Sequence, residues 1–307
     1  MSAASQVLVL FFLILTGYVC ARIKIITAEM AGHFSSFVIN ITLPALLFSS
    51  FQRPFSGELL REAGLAFGLS AIIYVISFLT AFIYPRIMGM KGPERGVHRY
   101  ALIISNCGFI GYPMVEALLG PVFLFHAVIF NIPYNLLAFS VCAWLIAKEG
   151  KNPLRINIKT FLNPNVIATF LGLLFFLFSI SLPDPLFRSF KMTGDMTSPL
   201  SMIVIGATLA QVKFSRIFGR WQVYVTVGMR LLVLPFIAGL IFYLIGIRGP
   251  LFMMAVLITA MPVGSSTSIL AILYDTTVEE AGSLVFLSTM LCMVTVPLVM
   301  LAAGNFM

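Results

Sequence analysis

The reading of this chain turns on Ser105-Asn-Cys-Gly-Phe-Ile-Gly-Tyr-Pro113. Apolar residues flank it, Ala101–Ile104 before and Met114–Leu119 after, so it lies inside a segment long enough to cross a bilayer. Hydrocarbon offers the backbone no water, and a spanning segment must satisfy its own N–H and C=O groups. Gly108 and Gly111 weaken a helix, while Pro113 lacks an N–H and its ring clashes with the preceding turn. The stretch therefore predicts a broken helix. Ala260-Met-Pro-Val-Gly-Ser-Ser-Thr-Ser268, in the second half, has the same character. One such stretch alone would favour a kinked, packed helix, because Pro and Gly are common in membrane helices. Two at corresponding places point to a binding site between broken helices.

Composition agrees with a chain built for lipid. Of 307 residues, 60% are hydrophobic and 10% charged, against roughly 25% charged in soluble domains. Mean hydropathy is +1.04. The net charge of +8 could suggest nucleic acid, but the basic residues cluster in loops between apolar runs, as the positive-inside rule requires, so no nucleic-acid partner is expected. Cys20, Cys107, Cys142 and Cys292 lie apart in apolar runs without a CxxC pair, and neither a zinc site nor a disulfide framework is indicated. The first apolar run has no basic residues ahead of it and reads as a retained span, not a signal peptide.

Ten apolar runs can be counted, near 5–22, 31–51, 60–84, 98–119, 121–147, 163–181, 194–211, 221–246, 249–273 and 279–303. Turn chemistry separates them at Arg53-Pro54, Gly89–Pro93, Gly120-Pro121, Asn152-Pro153, Pro183–Pro185 and Gly249-Pro250. The polar connector Lys148–Lys159 divides the chain into residues 1–150 and 151–307, five runs each. Thirteen of the nineteen Lys and Arg fall on one side of the implied membrane and five on the other, with Arg230 inside a run. The basic side is cytoplasmic by that rule, which sets both termini on the non-cytoplasmic side. An odd number of spans per half makes homologous halves an inverted-topology repeat.

Candidate site residues follow from the breaks. A helix restarting in the membrane presents unpaired N–H groups with about half a positive charge behind them, which suits a carboxylate. The substrate-binding candidates are Asn106, Cys107, Gly108, Gly111 and Pro113, with Pro262, Gly264, Ser265, Ser266 and Thr267. Asn131 and Asn135, one turn apart in the fifth run, either line a polar interior or join helices. Arg230 reads as a substrate counter-charge or as the partner of Glu116 or another acid. Glu116 reads as a proton carrier or cation ligand, or as a carboxylate near the headgroups, since Gly120-Pro121 ends its span. His126 reads first as a packing or hydrogen-bonding residue. No GxGD, HExxH or Ser–Lys constellation occurs in the runs, so no catalytic residue, metal ligand or cofactor is expected.

Several of these stretches occur together in a known pattern. Asn40-Ile-Thr-Leu-Pro-Ala-Leu-Leu-Phe48, the Asn-x-Gly-Phe-x-Gly-x-Pro core of 106–113, Asn163-Pro164, Ile205-Gly-Ala-Thr-Leu209, Ala260-Met-Pro262 and Leu287-Ser-Thr289 with Thr295-Val-Pro297 resemble, in order and spacing, the auxin efflux carrier family. The resemblance covers nearly the whole chain. The short central connector is similar to the prokaryotic members described as malate or malonate permeases.

The resemblance implies an all-α polytopic membrane protein of ten transmembrane helices in two inverted five-helix repeats. Helices 4 and 9 would break and cross as in bile acid:sodium symporters. It implies a scaffold of helices 1, 2, 6 and 7, often a dimer interface, and a moving core of helices 3–5 and 8–10. The expected function is secondary transport of a small organic anion by alternating access across the plasma (inner) membrane, as a homodimer, coupled to protons, sodium or neither. An anion channel, a membrane-embedded sensor and a sodium-coupled bile acid-type symporter are the rival readings.

Overall fold

Proline and glycine decide where the helices of this chain begin, bend and stop. The computed structural model describes residues 3–138, 140–152, 163–211 and 220–305, with the side chains at 3, 4, 7 and 135 excepted. The Asn135 side chain and four of the counted basic residues, Arg155, Lys159, Lys213 and Arg216, lie outside the described residues.

The described elements are α1 (Ala3–Arg22), α2 (Ala28–Ser50), α3 (Gly57–Ile87), α4 (Gly92–Ile103), α5 (Cys107–Leu119), α6 (Pro121–Ala147), α7 (Pro164–Leu177), α8 (Asp184–Asp195), α9 (Thr197–Gln211), α10 (Trp221–Leu244), α11 (Gly249–Thr259), α12 (Ser266–Leu273) and α13 (Val278–Gly304). The described chain is all-helical, apart from one isolated β-bridge. Among the described residues, five helices, α2, α3, α6, α10 and α13, are long and apolar enough to cross a membrane. Shorter apolar helices are Leu8–Arg22 within α1, α5, α7 and α11. Their outward side chains are apolar too: Leu79 and Ile83 on α3, or Leu298 and Leu301 on α13, are more than half exposed. Such a surface suits hydrocarbon, not water.

Three of the described helices contain a π-turn, and a proline follows each. Val38–Thr42 in α2 precedes Pro44, Cys107–Gly111 in α5 precedes Pro113, and Met229–Val233 in α10 precedes Pro235. A proline ring collides with the carbonyl four residues back and offers that carbonyl no N–H. The extra residue of a π-turn opens the ladder where this conflict arises. Pro113 therefore starts the α-helical stretch Tyr112–Leu119 and does not kink it midway.

The chain divides into two compact units. The first comprises Met1–Leu65, Gly108–Ile129 and Leu162–Val212. Within it α1 and α9 meet backbone to backbone: a Cβ on Gly17 would strike the Ile203 carbonyl, and one on Gly206 the Ile14 carbonyl. Small residues at such contacts let membrane helices approach closely. The second unit comprises Ala66–Cys107, Phe130–Phe161 and Lys213–Met307. Its core joins Tyr100, Leu102 and Ile104 to Ile146, Leu234 and Leu270.

Two boundaries differ from the sequence reading. The amphipathic helix α8 occupies a stretch read as a connector; it packs Phe190 against Phe48 and Gly194 against the Leu46 backbone. Its charged face, with ion pairs Arg188–Asp184 and Lys191–Asp195, hides it from any search for apolar runs. Helix α4 starts six residues before the expected 98, because Pro93 is set for the first helical turn.

Candidate functional site

The two stretches that interrupt the spans meet inside the second unit. Helix α4 ends at Ile103, and Ile104 turns extended, with φ −102° and ψ 118°. Helix α11 ends at Thr259. Ser105 and Val263 then form an antiparallel bridge. The Asn106 N–H donates to the Pro262 carbonyl at 2.8 Å, and the Gly264 N–H donates to the Ile104 carbonyl at 3.0 Å. Each break thus supplies the backbone partners that the other loses on leaving its helix, as burial away from water demands. Gly264 lets the two breaks approach closely here. A Cβ at that position would lie 3.1 Å from Ile104 Cγ2 and 3.2 Å from the Ser105 carbonyl oxygen.

Arg230 completes the junction. Its side chain is 2% exposed, in the π-turn of α10. Nε donates to the Met261 carbonyl at 3.1 Å and Nη1 to the Leu102 carbonyl at 3.0 Å. Carbonyls at helix C-termini carry partial negative charge, and a cation there is favoured. The recorded partners of Arg230 are therefore carbonyls from both breaks; the sequence reading looked for a carboxylate. Ser288 on α13 adds a further tie, accepting from the Val263 N–H at 3.0 Å.

Helix α12 begins just after the second break. Its Thr267 and Ser268 N–H groups donate to the Gly264 and Ser265 carbonyls, at 2.9 and 3.2 Å, and polar side chains stand beside them. The Asn106 side chain donates to Ser265 Oγ at 3.2 Å, and the Tyr100 hydroxyl donates to Ser266 Oγ at 3.0 Å. Ser265 is exposed, Ser266 half-buried and Thr267 buried, its hydroxyl without a hydrogen-bond partner among the described residues. Cys107 Sγ lies 2.9 Å from Ser105 Oγ. Asn131 is buried at a turn between the helical stretches of α6. The second unit thus holds Asn106, Cys107, Asn131, Arg230, Pro262, Gly264, Ser265, Ser266 and Thr267.

Gly108, Gly111, Pro113 and Glu116 belong to the first unit. Among the described residues, Gly108 there has only Leu43 Cδ2 near its missing Cβ, at 3.4 Å. Glu116 sits one turn before the end of α5 and accepts from Ser198 Oγ at 3.0 Å, in the first turn of α9. His126 is buried and bonds through Nε2 to Glu62 Oε2 at 2.9 Å.

Sequence reasoning missed Tyr100, Ser105 and Ser288 as contributors to the junction. A tyrosine hydroxyl in an apolar run is a signal, since it needs a polar partner when buried. Ser288 lies in Leu287-Ser-Thr289, part of the family pattern, but its residue type names no partner, because a serine can bond within its own helix. A crevice of about 480 Å³ between α10, α11 and α13 is lined by apolar residues such as Phe236, Phe252 and Leu298 and offers an anion nothing.

Comparison with known proteins bears on this geometry. The profile of the family described as membrane transport protein matches residues 2–300. An "Uncharacterized transporter" of Methanothermobacter thermautotrophicus is 29% identical over 302 residues, 97% of each chain. A "Putative malonate transporter" of Rhizobium meliloti is 24% identical over 300 residues, 94% of this chain and 92% of that protein. An "Uncharacterized transporter" of Escherichia coli is 23% identical over 302 residues, 95% of each.

Proposed function

Because this chain belongs to the membrane transport protein family, that of the auxin efflux carriers, we propose that it is a secondary active transporter for a small organic anion. It is a multi-pass membrane protein. A dicarboxylate of malonate size is the proposed substrate, on the strength of the name carried by the Rhizobium relative. The observation that carries the reading is the antiparallel pairing of the two broken segments. It gathers carbonyl ends under Arg230 and leaves the start of α12 with Asn106, Ser265 and Ser266 beside it. A carboxylate fits that start, because the positive end of the helix dipole and the polar side chains beside it both favour an anion.

The inverted ten-helix repeat and the bile acid:sodium symporter-like crossing belong to the same proposal. Parallels between the halves support it. Helices α4 and α11 have 12 and 11 residues, each opened by Gly-Pro. The α-helical stretches after the breaks, Tyr112–Leu119 and Ser266–Leu273, have eight residues each. The apolar helices that follow, α6 and α13, have 27 each. Alternating access of a core against a scaffold, a homodimer, an inner-membrane location and outward-facing termini complete the proposal.

Purified protein in liposomes tests it. Unlabelled malonate inside should accelerate entry of labelled malonate, since a carrier returns faster when loaded. Uptake that saturates without counterflow would sink the carrier reading in favour of a channel. Coupling is tested by Glu116→Gln under imposed pH and sodium gradients; we expect the ion dependence to weaken, and an unchanged dependence removes Glu116 from coupling.

A further inference from the structure

A second polar cluster, apart from the junction, lies in the second unit where α4 and α13 begin. Glu94 and His98, one turn apart on α4, meet Glu280 in the first turn of α13. One ligand atom from each lies within 4.8 Å of the other two. Arg220, just before α10, holds one oxygen of each carboxylate: Nη1 is 2.9 Å from Glu94 Oε2 and 3.1 Å from Glu280 Oε1. The other oxygens, Glu94 Oε1 and Glu280 Oε2, are buried; Glu94 Oε1 has no hydrogen-bond partner among the described residues, while the Thr277 hydroxyl stands near the Glu280 carboxylate. His98 Nε2 is also buried without a hydrogen-bond partner among the described residues, on a side chain that is 0% exposed. Glu94, His98 and Glu280 thus bring one electron-pair donor each together, and two carboxylates with one guanidinium leave a surplus negative charge.

Behind the ring, His98 Nδ1 lies 2.6 Å from Thr226 Oγ1, and both Thr226 Oγ1 and the Tyr84 hydroxyl reach the Gln222 carbonyl, at 2.9 and 3.2 Å. The tautomer with its proton on Nδ1, given to Thr226 Oγ1, leaves Nε2 a lone pair, and a histidine that ligates a metal is held in this way, with its other N–H given to an oxygen. Helix capping does not account for Glu280. Thr277-Val-Glu-Glu280 has capping-box spacing, yet the Thr277 side chain makes no capping bond and Glu280 reaches Arg220.

One imidazole nitrogen with two carboxylates is a donor set for zinc and its neighbours, with a fourth position left for water. Magnesium and calcium prefer oxygen ligands throughout. We propose that Glu94, His98 and Glu280 bind one divalent transition-metal ion, zinc above all, tying the start of α4 to the start of α13. The Arg220 side chain, 54% exposed, swings to solvent as the ion enters.

The test uses full-length, tag-free protein in detergent, stripped with chelator and titrated with zinc against a chromophoric indicator. One ion per chain is expected. His98→Gln, Glu94→Gln and Glu280→Gln should each weaken binding by roughly tenfold or more. Arg220→Gln should tighten it, because a competing cation is gone; this variant separates a metal site from a plain ion-pair cluster. X-ray absorption of the loaded wild type needs no variant to fold. It should show nitrogen and oxygen neighbours at about 2.0–2.2 Å, whereas sulfur at about 2.3 Å would place zinc on a cysteine and overturn the proposal. No stoichiometric zinc, or affinity indifferent to all four substitutions, would overturn it as well.

Discussion

The two breaks share a plan and differ in finish. Each follows a helix of eleven or twelve residues opened by Gly-Pro, and each leaves that helix to pair with the other. The first crosses on Ile104, Ser105 and Asn106, then restarts through the π-turn Cys107–Gly111. The second leaves six residues, Ala260–Ser265, outside any helix and restarts at Ser266. Bulk is tolerated differently as a result. Gly264 sits against the opposing backbone, while Gly108 faces only the tip of Leu43. The first break contributes an amide side chain, Asn106; the second contributes hydroxyls and close backbone approach. A pair of breaks can therefore be symmetrical in topology yet divide the work of packing and recognition unequally.

The substitution with the largest expected effect strikes both breaks together. Arg230→Leu would leave the Leu102 and Met261 carbonyls without their donor in a buried place. Each lost bond to a charged group is worth about 1.5–3 kcal/mol, so destabilisation of roughly 3–6 kcal/mol is expected. It would be read as a large fall in apparent Tm in detergent, with transport lost. Arg230→Lys keeps the charge but not the fork, and should fall between. A leucine variant as stable as the parent would show that the carbonyl ends find other partners and that Arg230 does not join the breaks.

A paired glycine experiment probes the difference directly. Gly264→Ala forces a Cβ against the Ser105 carbonyl, which the bridge holds in place, at a cost of about 1–3 kcal/mol. Gly108→Ala meets ordinary contact only, and the lower chain entropy of alanine makes it neutral or stabilising by up to ~1 kcal/mol. Apparent Tm values for the two variants should part in sign or nearly so. Equal losses would erase the contrast between the breaks.

What the sequence discloses here follows from chemistry that leaves a mark on residue types. Pro113, Gly108, Pro262 and Gly264 are poor helix material, so the places of interruption are legible in the residue types alone. The long apolar runs are legible for the same reason. Partners are less so. Arg230 could be seen to lie deep in a span, but a backbone carbonyl has no residue signature, and reasoning from side chains alone sends a buried cation to a carboxylate. Helix α8 was hidden by its charged face and by Pro183 and Pro185. Glu94 and His98 stand four apart in the sequence, a visible pair, yet Glu280 comes from the far end of the chain and only folding brings it to them.

The smallest expected effects come from one polar side chain at each break, and they should differ in kind. Ser288 accepts the buried Val263 N–H. Ser288→Ala orphans that donor, and about 1–2 kcal/mol of stability should go with it. Asn106 is half-buried, and its bond to Ser265 is accessible to solvent, so Asn106→Ala should change stability by only about 0.5 kcal/mol. If the start of α12 receives the substrate carboxylate, however, Asn106→Ala should raise the KM for uptake several-fold while apparent Tm holds. Ser288→Ala should do the reverse, lowering Tm while protein that remains folded keeps its KM. Measuring both quantities on both variants separates a residue that holds the junction from one that meets the substrate. If Asn106→Ala lowers Tm as much as Ser288→Ala and leaves KM alone, the first break is as structural as the second, and recognition lies elsewhere.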